Sequence, residues 1–128
     1  VSYNELTSLE GCPRELPGGS LFAVSNKIKT LEGVPEIIGG SLRMQDNQLR
    51  SLQGIHKLIK KINGNANFNS NPIRSHMLGL LKIDGLTRIE FNGDIVEEII
   101  NSHLKGDRNL LACQEELMEA GRGKFAQL

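Results

Sequence analysis

The chain has no tryptophan, one tyrosine and two cysteines, and its fifteen basic and fifteen acidic side chains cancel to a formal charge of zero. Each scarcity narrows the field. With so few aromatics there are few platforms on which the bases of a single strand could stack, and a neutral chain casts no global field to draw in a polyanion. Nucleic acid is therefore not the expected partner. Cys12 and Cys113 lie far apart in sequence, and neither belongs to a Cys-x-x-Cys or Cys/His set, so both are expected as reduced, packed thiols rather than metal ligands. No apolar run approaches the roughly 20 residues that span a bilayer. No charged stretch followed by an apolar core and a small-residue cleavage site opens the chain, which favours a cytosolic setting. A length of 128 residues suits a single domain over 1–128, one that can fold without staples.

Catalytic constellations are missing too. His56, His76 and His103 show no i, i+4 pairing and have no Cys or Asp/Glu set at metal-ligand spacing, so no metal is expected. Glu97-Glu98 and Glu115-Glu116 fall on predicted helices, where adjacent side chains diverge by about 100° and do not converge as a general acid and base would. Neither a nucleophile elbow nor a phosphate loop nor a dinucleotide fingerprint occurs. The expectation is a non-enzymatic protein without cofactors.

What the chain does contain is a repeat. Leu6-Thr7-Ser8-Leu9-Glu10-Gly11-Cys12-Pro13 returns as Ile28-Lys29-Thr30-Leu31-Glu32-Gly33-Val34-Pro35, and again as Leu49-Arg50-Ser51-Leu52-Gln53-Gly54-Ile55. The spacing is 22 and then 21 residues. The other half of each unit repeats as well: Gly18-Gly19-Ser20-Leu21-Phe22-Ala23, ending at Asn26, matches Gly39-Gly40-Ser41-Leu42-Arg43-Met44, ending at Asn47, and a longer third copy runs through Ala66 and Phe68 to Asn71. Alternating apolar positions followed by an asparagine and a further leucine, at a period of 20–29 residues, mark leucine-rich repeats. The expected fold is α/β: a short leucine-rich-repeat solenoid over 6–92, with three to four degenerate repeats of about 21–24 residues and parallel strands, closed by a C-terminal helical cap over 93–128 because a solenoid must shield its last apolar edge.

The residue types dictate the parts of a unit. In Leu21-x-Ala23, Leu42-x-Met44 and Ala66-x-Phe68, period two turns alternate side chains to one face of a short strand. Asn26, Asn47 and Asn71 then stand where a side-chain amide can satisfy the backbone of the turn and of the next coil, which predicts an asparagine ladder. The glycine pairs 18/19 and 39/40 suggest positive φ or a bend, and Pro13 and Pro35 suggest turns, so the return segments are expected to be irregular. In the third unit Ile55, Leu58, Ile59 and Ile62 fall at helical spacing, which predicts a short helix, and His76 to Leu81 also looks helical. A fourth strand is expected at 86–91, aligning Ile89 and Phe91 with Ala66 and Phe68. Beyond it, Asp94 is a candidate N-cap for a helix with the stripe Ile95, Val96, Ile99, Ile100 and Leu104, stopped at Gly106. Leu110, Leu111, Cys113, Gln114, Leu117 and Met118 suggest a second helix, stopped at Gly121.

Outward strand positions would align across one open face, in columns reading Ser20, Ser41, Asn65, Arg88, then Phe22, Arg43, Asn67, Glu90, then Val24, Gln45, Asn69, Asn92. Phe22 beside Arg43 combines an aromatic anchor with a guanidinium, a pairing enriched at interface hot spots. The candidate partner-binding face is thus Phe22, Val24, Arg43, Gln45, Asn67, Asn69, Arg88 and Glu90. A covering of Phe22 by residues 1–6 is the alternative. A smaller basic group, Lys57, Lys60, Lys61 and Arg74, is a solvated face or a phosphate-contacting patch.

The motif Ser8-Leu9-Glu10-Gly11, its variants Thr30-Leu31-Glu32-Gly33 and Ser51-Leu52-Gln53-Gly54, and the Gly-Gly and Asn positions resemble the short leucine-rich-like repeats of small proteins of tailed bacteriophages and some large viruses. The tail, with Leu110-Leu111-Ala112-Cys113-Gln114-Glu115-Glu116-Leu117, also looks like the helical end of such phage proteins. Ala23, Met44 and Phe68 stand where these repeats often carry cysteine. The resemblance implies a viral protein acting in the bacterial cytoplasm, with a host or defence protein as partner. The expected function is accordingly a protein–protein interaction module, monomeric or weakly self-associating. The alternatives are a nucleic-acid accessory protein using the basic group, and a structural virion component.

Overall fold

The computed structural model describes residues 6–128. Its elements, in chain order, are strands β1 (Glu15–Leu16), β2 (Leu21–Phe22), β3 (Ile37–Ile38) and β4 (Leu42–Arg43), helix α1 (Ile55–Leu58), strands β5 (Lys61–Ile62), β6 (Asn65–Asn67) and β7 (Arg88–Glu90), and helices α2 (Ile95–Lys105) and α3 (Leu110–Glu119). Short 3₁₀ turns occupy Leu78–Lys82 and Gly123–Phe125. The strands are parallel and form two sheets, one ordered β2-β4-β6-β7 and the other β1-β3-β5.

Pairing follows the repeat. Leu21 pairs with Leu42, Leu42 with Ala66 and Ala66 with Ile89, while Phe22, Arg43, Asn67 and Glu90 form the adjoining row. The inward positions Leu42, Met44, Ala66, Phe68 and Ile89 are fully buried, and each large apolar side chain removed from water in this way contributes about 1.5–3 kcal/mol. The leucines of the repeated motif, Leu9, Leu31 and Leu52, join the same continuous core.

The expected asparagine ladder is present. Asn47 donates through Nδ2 to the carbonyls of Ala23 (2.7 Å), Met44 (3.1 Å) and Gln45 (3.2 Å), and accepts at Oδ1 from the Ile28 N–H (3.1 Å). Asn71 repeats the pattern one coil on, donating to Met44, Phe68 and Asn69 and accepting from Leu49 N–H. Asn26 accepts from Leu6 N–H at the first coil. One residue type thus supplies donor and acceptor together where the chain leaves each strand. The residue before each ladder asparagine, Ser25, Asp46 and Ser70, has φ of 57–60°, and Asn92 follows at 55°. Short polar residues tolerate this left-handed conformation better than bulky ones.

The bend expected at the glycine pairs is present, as a turn at Pro17-Gly18 and a bend at Gly39-Gly40, but positive φ falls elsewhere. It is Gly11, Gly33 and Gly54 of the Ser-Leu-Glu-Gly units that adopt positive φ, at 91°, 88° and 71°, a region that costs glycine nothing. Gly39 instead serves a close approach: a Cβ there would meet the Pro17 carbonyl oxygen at 2.1 Å.

Three further features depart from the sequence reading. The return segments of the first two units are non-helical and mostly irregular, as expected, but each carries a two-residue strand: β1 and β3 pair, together with β5 of the third unit, into the second sheet, with Ile37 opposite Glu15 and Lys61. The third-unit helix covers only the four residues Ile55–Leu58, and Ile62 belongs to β5, where its buried side chain continues the column of Leu16 and Ile38. The segment near 76–81 is a 3₁₀ turn from Leu78 to Lys82.

Helix α2 packs behind β7, and α3 packs against α2 and the two 3₁₀ turns. Asp94 caps α2, accepting from Val96 N–H at 2.9 Å, and Val96, Ile99, Ile100 and Leu104 are buried, whereas Ile95 of the expected stripe is exposed. From the same helix Asn101 accepts from the Ile89 N–H at 2.7 Å and donates to the Ile89 carbonyl at 2.9 Å. Glu97 accepts from the Phe91 N–H. The helix therefore satisfies the outer edge of β7 with side chains, which is one way to remove an exposed pairing edge. The second helix, α3, begins at Asn109, which caps Ala112 N–H, and it is fastened to α2 by His103 Nε2 and Glu116 Oε1 at 2.8 Å. Among the described residues no helix is long and apolar enough to cross a membrane.

Candidate functional site

The expected face is assembled by the four-stranded sheet. Register places Phe22 beside Arg43, and the Arg43 guanidinium carbon lies 5.8 Å from the centre of the Phe22 ring, within the range of a cation–π contact. Phe22 remains 48% exposed. The suggested covering by residues 1–6 falls, but for Leu6, outside the described residues.

Further along the row the face becomes polar. Asn67 does not belong to the accessible surface: it is 8% exposed, because its amide is held between neighbours, donating to Glu90 Oε2 at 2.5 Å and accepting from Asn69 N–H at 2.9 Å. Glu90 is half-buried by the same bond, and Arg88 is exposed opposite Asn65. In the third column Val24 and Gln45 are half-buried, and Asn69 accepts from Asn92 N–H at 2.6 Å. The face thus runs from an aromatic–guanidinium end at Phe22 and Arg43 to an amide and carboxylate end at Asn69 and Glu90.

The basic group is divided. Lys57 and Lys60 lie with Lys82 around His56, whose pKa is lowered first by burial and then by these three cations. Lys61 sits in β5 beside Ile37, and Arg74 follows the third ladder asparagine, its N–H on the Arg50 carbonyl at 2.9 Å. All four side chains of the expected group are exposed.

Both cysteines are free. Burial pushes the Cys113 thiol up to about 11, with Glu116 adding to the effect, while Cys12 is half-buried at the first coil. Since the thiolate is the reactive form, maleimide at neutral pH is expected to label Cys12 alone in the native protein and both cysteines in urea. Labelling of Cys113 in the native state, read by peptide mass spectrometry, would contradict its packing. Among the described residues no group of three His, Cys, Asp or Glu side chains is placed to hold a metal ion.

Comparison with known proteins finds no matching family model, curated protein or solved structure.

Proposed function

We propose that this chain is a short leucine-rich-repeat solenoid with a helical cap that works as a protein-binding module, its sheet face seating a partner at Phe22 and Arg43. The observation carrying this reading is the exposed Phe22 ring with the Arg43 guanidinium against it, on consecutive paired strands of a parallel sheet. A flat aromatic supplies contact area at small entropic cost, and a guanidinium adds fixed donors for a partner's carboxylates or carbonyls. Parallel in-register pairing and the asparagine ladder support the solenoid, because each coil repeats the bonds of the one before.

On the Ser-Leu-Glu-Gly resemblance, the partner is a bacterial host or defence protein and the chain a phage-encoded inhibitor acting in the cytoplasm without catalysis. Affinity capture from nuclease-treated bacterial lysate should retain a protein on the wild-type chain and lose it on Phe22→Ala/Arg43→Ala, with the circular-dichroism spectrum unchanged. Undiminished capture by the double variant would reject this face.

A further inference from the structure

A second surface lies away from the Phe22–Arg43 pair, where the repeated motif turns. Lys29, Arg50 and Arg74 each follow the apolar residue after a ladder asparagine, at Ile28, Leu49 and Ile73. Backbone bonds lock the coils in this order, Gln48 N–H on the Ile28 carbonyl and Arg74 N–H on the Arg50 carbonyl, both at 2.9 Å. Three cations thus stand on three successive coils, with paired coils about 4.8 Å apart. All three are exposed, and among the described residues none of them, nor Lys57, has a carboxylate within ion-pair distance.

Lys29, Arg50 and Lys57 line a single groove of about 620 Å³. Its floor includes the buried Leu31 and Leu52, and the half-buried Leu58 stands beside them. Thr30 and Ser51, also in the lining, each accept a backbone N–H two residues on, at 3.4 Å, which leaves each hydroxyl proton free to donate. Cations and donors therefore surround an apolar floor, with Glu32 as the one carboxylate of the lining.

We infer that this groove binds an extended acidic peptide segment of a partner protein, with carboxylates on Lys29, Arg50 and Lys57 and intervening apolar side chains on Leu31, Leu52 and Leu58. Carboxylates relieve the mutual repulsion of the stacked cations, and the leucine floor takes what lies between. Single-stranded nucleic acid fits less well, because no aromatic side chain lines the groove for its bases to stack upon. The inference is independent of the sheet-face reading, and either can fail alone.

The test uses the full chain and a fluorescein-labelled eight-residue peptide of alternating Glu and Leu, titrated by fluorescence polarisation in 50 mM salt. Saturable binding is expected, weakening at least 10-fold in Lys29→Glu/Arg50→Glu and less than 2-fold in Lys105→Glu/Lys124→Glu, which makes the same charge change at exposed positions outside the groove. Should the first variant lose its native spectrum, Lys29→Gln/Arg50→Gln is read instead, with the same threshold. Absence of saturable peptide binding, equal weakening by both charge-reversed variants, or tighter binding of an octathymidylate than of the peptide would each overturn the proposal.

Discussion

Asn47→Ala is expected to destabilise the protein by about 3–4 kcal/mol in urea unfolding, a large share of the 5–15 kcal/mol that holds a typical domain together. The reason lies in what the amide leaves behind. The Ile28 N–H has Asn47 Oδ1 as its acceptor, and a buried donor left unsatisfied costs about 1–3 kcal/mol. The Ala23 and Met44 carbonyls keep a second donor in Asn26 and Asn71, so each loses only one bond, about 1 kcal/mol. Gln48→Ala, one residue along and exposed, should move stability by less than about 0.5 kcal/mol. Asn47→Asp separates the two roles of the amide. It keeps the acceptor but turns a negative charge on three carbonyls, which raises the carboxyl pKa in the folded state. Its stability should therefore recover as pH falls through the carboxylate range. An Asn47→Ala protein as stable as wild type would show that the ladder is incidental to the fold.

Gly39→Ala is expected to cost about 3 kcal/mol or to prevent folding, near the upper end for overpacking. The added carbon would stand 2.1 Å from the Pro17 carbonyl oxygen and 2.4 Å from the carbonyl carbon, and backbone cannot swing aside as a side-chain tip can. To admit it, the second coil must lift from the first where Gly39 N–H meets the Leu16 carbonyl at 2.6 Å. That motion would pull β1 from β3. Gly18→Ala points into open space and is expected to leave the urea midpoint within error. Equal midpoints for the two variants would mean that the close approach of coils at Gly39 is wrong.

These two sites also show how far the sequence could be read. Register, strand positions and the ladder were legible because each rests on one residue type recurring at one spacing: Asn26, Asn47 and Asn71 announce themselves. The role of Gly39 was not, since a glycine needed for clearance looks the same in sequence as one needed for positive φ; only the neighbouring coil distinguishes them. The second sheet escaped because two-residue strands such as Ile37–Ile38 are too short to display a period of two. The cluster Ile55, Leu58, Ile59 and Ile62 read as one helix because an apolar spacing cannot reveal that the chain leaves the helix at Ile59 and enters β5.

At the candidate face, period two placed Phe22, Arg43 and Asn67 outward correctly. Outward is not the same as accessible, however, and Asn67 is covered by the neighbours to which it bonds. The cation column Lys29, Arg50 and Arg74 is visible in the aligned units, because each residue follows the apolar position after a ladder asparagine. Asn101 carried no such signal, since on the helix it lies beyond the edge of the apolar stripe, beside Glu97, and only packing against β7 reveals its partner, the Ile89 peptide.

The bond between Asn101 and Ile89 also makes length a separable property of this architecture. Each internal coil meets the next through the same contacts, Leu21 to Leu42 and Leu42 to Ala66, so a unit could be duplicated or deleted between them with the junctions preserved. The last coil is different, because its outer edge is written for a helix and not for another strand. If the chain is the solenoid proposed above, a lengthened form would keep β7 and α2 together as one terminator, with added units placed upstream of them.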